Sequence, residues 1–252
     1  MRNIVIFISL LFFSNYCLGQ KQKIDSLFIQ FQQANFYGSI YPAKKRLENY
    51  QKEIIPKLIK LLDSEEFVKL NGTADLIYPG MTTFYGHGHF VPYNMDWIAV
   101  RVGWLLEDLT FENFGYKTSG NDNDSMIKLL KENYPEYIES GTINLEWKNK
   151  TPNQKQIELN KLLAKKVKKW WKENKNKWTR LNAIKSALTS NDEERLSKAL
   201  QYLRFKKSEC DNYNETIYIK EIKPLVENLQ STSYPDVLTD VQLLLETYDW
   251  KQ

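Results

Sequence analysis

Apolar side chains recur every three to four residues along most of this 252-residue chain, a spacing that restricts it to helices packed face to face. The first such stretch, 24–36, carries Ile24, Leu27, Phe28 and Phe31. The next, 43–62, aligns Leu47, Tyr50, Ile54, Leu58, Leu61 and Leu62, with Pro56 inside the run. A proline removes one backbone donor and crowds the preceding turn, so a kink or break is predicted there. Residues 94–109 place Met95, Ile98, Val102, Leu105, Leu106 and Leu109 on one face, with Trp97 and Trp104 beside it as further core residues.

The C-terminal half repeats the pattern. Thr151-Pro152 reads as N-cap and first turn of a long helix over 153–174. Trp178, Leu181, Ile184 and Leu188 mark another over 178–189. Asn191-Asp192-Glu193-Glu194 then supplies an acidic first turn ahead of Leu196, Ala199, Leu200 and Leu203. Helices over 215–230 and 236–248 follow, separated at Pro235. Almost nothing alternates with period two, so the fold class is all-α, an irregular helical bundle built as a single domain over 20–252.

Residues 1–19 predict export. Met1-Arg2-Asn3 precedes the apolar run Ile4–Phe13, and Gly19 stands at a cleavage position, the layout of a signal peptide. The run of about 10 residues falls short of the ~20 that cross a bilayer, and no later stretch qualifies as a span. The expected location after cleavage is secreted or periplasmic. Of two cysteines, Cys17 leaves with the leader and Cys210 remains, so ordinary core packing has to stabilise the rest. A formal net charge of +4 is too small to argue for nucleic acid. The basic stretch Lys161–Lys177, interrupted by Leu162, Leu163, Val167, Trp170 and Trp171, fits an amphipathic helix with a solvated lysine face. Contact with an anionic surface is the other reading.

Two segments echo each other, Lys52-Glu53-Ile54-Ile55-Pro56 and Lys220-Glu221-Ile222-Lys223-Pro224. Residues 183–200 add a small-residue helix, a short acidic turn and a second helix with an arginine just inside. These features resemble HEAT-like helical repeats, mainly over 153–250. The resemblance implies an α-solenoid of helical hairpins with a concave binding surface.

Residues 71–93 depart from the helical pattern. They hold four of the ten glycines and both histidines, with Tyr78, Phe84, Tyr85, Phe90 and Tyr93 between them. A long aromatic- and glycine-rich insertion between helices is a candidate binding loop. His87 and His89 stand two apart, so on an extended strand both imidazoles point one way, and Asp96 or Asp75 could complete a metal site. Without metal, the two histidines serve hydrogen bonds within the loop. Tyr78, Tyr85, His87, His89, Tyr93, Asp96 and Trp97 are therefore the candidate binding residues, and His87, His89 and Asp96 the candidate metal ligands.

Further on, Glu107, Asp108 and Glu112 lie among aromatics. Paired carboxylates suit glycoside hydrolysis, but adjacent helical positions diverge by about 100°, and the simpler expectation is solvated charge at a helix end. The polar run 119–125 reads as a loop ending in the N-cap of a helix over 125–133. No nucleophile elbow or phosphate loop is present, and no cofactor is expected. The expected function is an exported envelope binding or scaffold protein, using a helical groove and residues 78–97 to hold a protein or glycan. The alternative is a metal-assisted envelope hydrolase centred on His87, His89 and Asp96.

Overall fold

The structure, a computed structural model, describes residues 21–72, 83–86, 89–116, 127–128, 130–131 and 135–247, with the backbone alone along 83–86 and 89–94. The leader (1–19), Tyr78, His87 and the run 119–125 lie outside the described residues. The chain is mostly helical, as the periodicity requires, and no described helix is long and apolar enough to cross a membrane. It divides into two compact units: one joins the chain up to Tyr50 with Glu66–Ile98, and the other joins Gln51–Glu65 with Ala99 onward.

In the first unit, α1 (21–33) buries Ile24, Leu27, Phe28 and Phe31. Helix α2 (Tyr37–Glu48) buries Tyr37, Ile40, Ala43 and Leu47 on one side. Lys44 and Glu48, one turn apart on the same helix, form an ion pair that is itself buried. The only β-hairpin of this unit's described residues pairs β1 (Thr83–Gly86) antiparallel with β2 (His89–Pro92), closing at the Gly86–His89 pair.

The second unit starts where Pro56 breaks the expected long helix. After α2, Gln51 takes a φ of 43° and a 3-10 turn runs from Gln51 to Glu53. Helix α3 (Ile55–Leu61) then restarts with Pro56 in its first turn, where the missing N–H has no intrahelical partner to lose. Helix α4 (Ile98–Thr110) buries Ile98, Val102, Leu105, Leu106 and Leu109, each side chain contributing about 1.5–3 kcal/mol. Trp104 is only half-buried beside that stripe.

A two-residue hairpin, β3 (Ile138–Glu139) with β4 (Thr142–Ile143), precedes the short helix α5 (Leu145–Asn149). Helix α6 (Pro152–Asn174) opens with a complete capping box: Thr151 accepts from the Gln154 N–H while the Gln154 side chain accepts from the Thr151 N–H. Thr179 caps α7 (Arg180–Leu188) by accepting from the Asn182 N–H, and Asp192 caps α8 (Glu193–Phe205) by accepting from the Arg195 N–H.

Next comes a helical run of three parts: α9 (Glu215–Ile217), a π turn (Tyr218–Ile222) and α10 (Lys223–Asn228). Pro224 accounts for the π turn, because it has no N–H for a bond to residue 220 and its ring pushes that carbonyl away. Helix α11 (Pro235–Thr247) packs on α8 through buried Val237, Val241 and Leu244, and Ser197 donates to Asp240 at 2.7 Å.

Candidate binding site

The anchorage of the 71–97 insertion lies in the first unit. Extended chain at 66–70 runs beside 96–98. Val68 N–H donates to the Asp96 carbonyl at 2.8 Å, and Ile98 N–H to the Glu66 carbonyl at 3.1 Å. Between them Phe67 and Trp97 form an antiparallel bridge, with rings edge to face at 5.2 Å. The Asp96 carboxylate is buried and turned inward: Oδ1 accepts the Leu70 N–H at 2.9 Å and Oδ2 lies 3.1 Å from the Lys69 ammonium. Asn71 N–H donates to the Asn35 carbonyl at 2.6 Å, and Gly72, at φ 71°, turns against the ring of Phe36. Both ends of the segment between Gly72 and Asp96 are therefore fastened to one body.

The structure places the candidate residues unevenly on this frame. Tyr85 sits in β1 opposite Phe90, His89 opens β2 opposite Gly86, and Tyr93 begins the 3-10 turn Tyr93–Asp96. Asp96 and Trp97 are brought together at the base, both buried. Among the described residues no group of three His, Cys, Asp or Glu side chains is arranged to hold a metal ion.

Two residues that the periodicity did not single out are Phe36 and Phe67, exposed by 56% and 48%. Phe67 had a sequence signal: it is an aromatic set in the acidic, non-helical stretch Glu65-Glu66-Phe67. Phe36 ends the first helical pattern, where it reads as one more core residue.

The acids after Trp104 form a different assembly, within the second unit. Glu107 is not solvated, as the helix-end reading expected; it is wholly buried. Its Oε1 accepts three backbone N–H groups, from Phe114 at 3.0 Å, Gly115 at 2.8 Å and Tyr116 at 2.8 Å. The chain after α4 thus curls back over its own helix, and the carboxylate satisfies donors that would otherwise be orphaned.

Two arginines complete the wrap. Arg180 donates to the Leu109 carbonyl at 2.7 Å, a cation at the negative end of α4, and lies over the rings of Phe111 and Tyr202 at 5.5 and 4.9 Å. Arg195 donates to the Phe111 carbonyl at 2.9 Å and to Glu112 at 3.0 Å. These bonds hold Phe111 at φ 56°, a conformation a bulky residue seldom adopts. Burial pushes the Glu112 carboxyl above its ordinary range, against the opposing pull of Arg195.

The carboxylates that suggested a glycosidase pair are thus occupied in holding backbone and arginine. No family model matches the chain, and comparisons with curated proteins and with solved structures give no match.

Proposed function

We propose that this protein is an exported binding protein of the cell envelope. The anchored segment and its aromatic base would present the surface that holds a protein or glycan partner. The carrying observation is a division of labour in the first unit. The ionic groups at the base, Asp96 and Lys69, are engaged in holding the segment in place, whereas Phe36 and Phe67 stand half-exposed beside it. Aromatic faces fixed by a rigid backbone suit stacking on a sugar ring or filling a partner's pocket at small entropic cost. The apolar signal-like run Ile4–Phe13 supports the export part of this reading.

Photo-crosslinking in the native envelope tests the proposal. A benzophenone amino acid at position 36 or 67 is expected to capture the same partner, and one at exposed position 220 is not. If position 220 gives the same adducts, or positions 36 and 67 give none while the protein stays folded, the reading fails. A glycan partner is distinguished from a protein by loss of the adduct on glycosidase rather than protease treatment.

A further inference from the structure

Helix α6 carries a line of lysines that the fold leaves unused. Its inward side is spent on the core, with Leu159, Leu162, Leu163, Ala164 and Val167 buried. Outward, Lys165, Lys169 and Lys172 follow at spacings of four and three, which puts them on one face. Lys175, at the C-cap, continues the line. All four are exposed, and none forms an ion pair or side-chain hydrogen bond with another described residue.

Their neighbours behave differently. Lys161 pairs with Glu65 at 2.7 Å and Lys168 with Asp63 at 2.6 Å, so the flank of the helix toward 63–65 is neutralised. Glu158 is taken by Lys150 at 2.7 Å, leaving Glu173 as the acid nearest the line. From Lys165 to Lys175 the row runs about 15 Å along the helix axis.

We propose that this lysine row is a docking surface for an anionic lipid membrane, with the protein lying on the bilayer rather than entering it. Charge complementarity and shape together select that occupant. The row lies along the outward face of a single helix, so it suits a flat, diffuse anionic surface. It also contains only lysines, which act as point charges, and no arginine fork of the kind that reads a phosphate or carboxylate geometrically. The apolar face of α6 is turned to the core, so attachment is electrostatic, reversible and weakened by salt.

The test is co-sedimentation of the full chain with vesicles of phosphatidylcholine containing 40% phosphatidylglycerol, at 50 mM and 300 mM salt. The native protein is expected to bind these vesicles at low salt, to leave them at high salt and to ignore pure phosphatidylcholine. The K165E/K169E/K172E variant is expected to bind at least on the order of a hundredfold more weakly, since each surface lysine near an anionic leaflet contributes about a factor of five. K23E/K52E/K220E changes the net charge equally at exposed positions off the row and is expected to retain binding.

Matching far-ultraviolet spectra and melting temperatures for both variants show that the fold is kept. Equal loss in the two triple variants would mean that net charge, not this surface, is sensed, and would overturn the proposal. So would absence of binding by the native chain. Binding of the native chain to polyphosphate but not to vesicles would overturn it in favour of a soluble polyanion.

Discussion

Tyr116 lays its ring directly on Gly103, so closely that a Cβ added to the glycine would fall 2.1 Å from the tyrosine Cγ. Gly103 is in the middle of α4 and Tyr116 is wholly buried, so the absence of a side chain at 103 is what lets the returning chain lie flat on the helix. Gly103→Ala would ordinarily favour a helix; here it is expected to destabilise by about 1–3 kcal/mol through overpacking. Urea denaturation of Gly103→Ala, Tyr116→Ala and the double variant checks this. The double variant is expected to be more stable than the sum of the two single losses predicts, because the clash is gone once the ring is removed.

Removing the Glu107 carboxylate strands three backbone donors at once, with Phe114 and Tyr116 buried and Gly115 half-buried. Glu107→Ala is expected to cost at least about 3 kcal/mol, at roughly 1–3 kcal/mol per orphaned group. Glu107→Gln keeps an oxygen in place without the charge, so its loss is expected to be smaller. Unfolding curves give the two values, and equal losses would show that the charge, rather than the retained oxygen or the side-chain volume, carries the interaction.

Burial raises the Cys210 thiol to about 11, above the ordinary 9.0. At pH 8 the native protein therefore carries about a hundredfold less thiolate than an open chain. Reaction with a chromogenic disulfide is expected to be slower by at least that factor before denaturation and immediate after it. The linkage sign follows: the folded state holds this proton longer, so the thiol's contribution to stability falls as pH rises from 9 through about 11.

Glu112 has the same sign on the acid side. Its folded carboxyl titrates above 4.5, so the native state binds more proton than the unfolded chain just above that pH. Stability contributed by Glu112 is complete below 4.5 and declines as pH climbs through the raised folded value. Glu112→Gln is expected to remove this decline while leaving the rest of the stability–pH profile in place, as measured by urea midpoints at half-unit intervals from pH 4 to 7.

The helices were legible because their signals are local. The Thr151 capping box, the Asp192 cap and the buried stripe Leu196–Ala199–Leu200–Leu203 all follow from spacing within one or two turns. The interruption at Pro56 followed from its missing donor in the same way. The burial of Glu107 did not, because its three donors come from a chain reversal seven to nine residues onward that no periodic pattern encodes. The roles of Arg180 and Arg195 were not legible for a related reason: their partners lie in 108–112, more than 70 residues away in sequence. At the candidate site, Asp96 and Trp97 were named from the sequence just after the 71–93 insertion. The exposed Phe36 and Phe67 were not, because an apolar residue gives the same sequence signal whether it faces core or solvent.

The paired strands of backbone at 66–70 and 96–98 bring the two ends of the insertion together and hold them there whatever lies between. Closure of the insertion is therefore carried by backbone outside it, and doubling the length of chain between those two ends would add only about 0.6 kcal/mol of closure entropy.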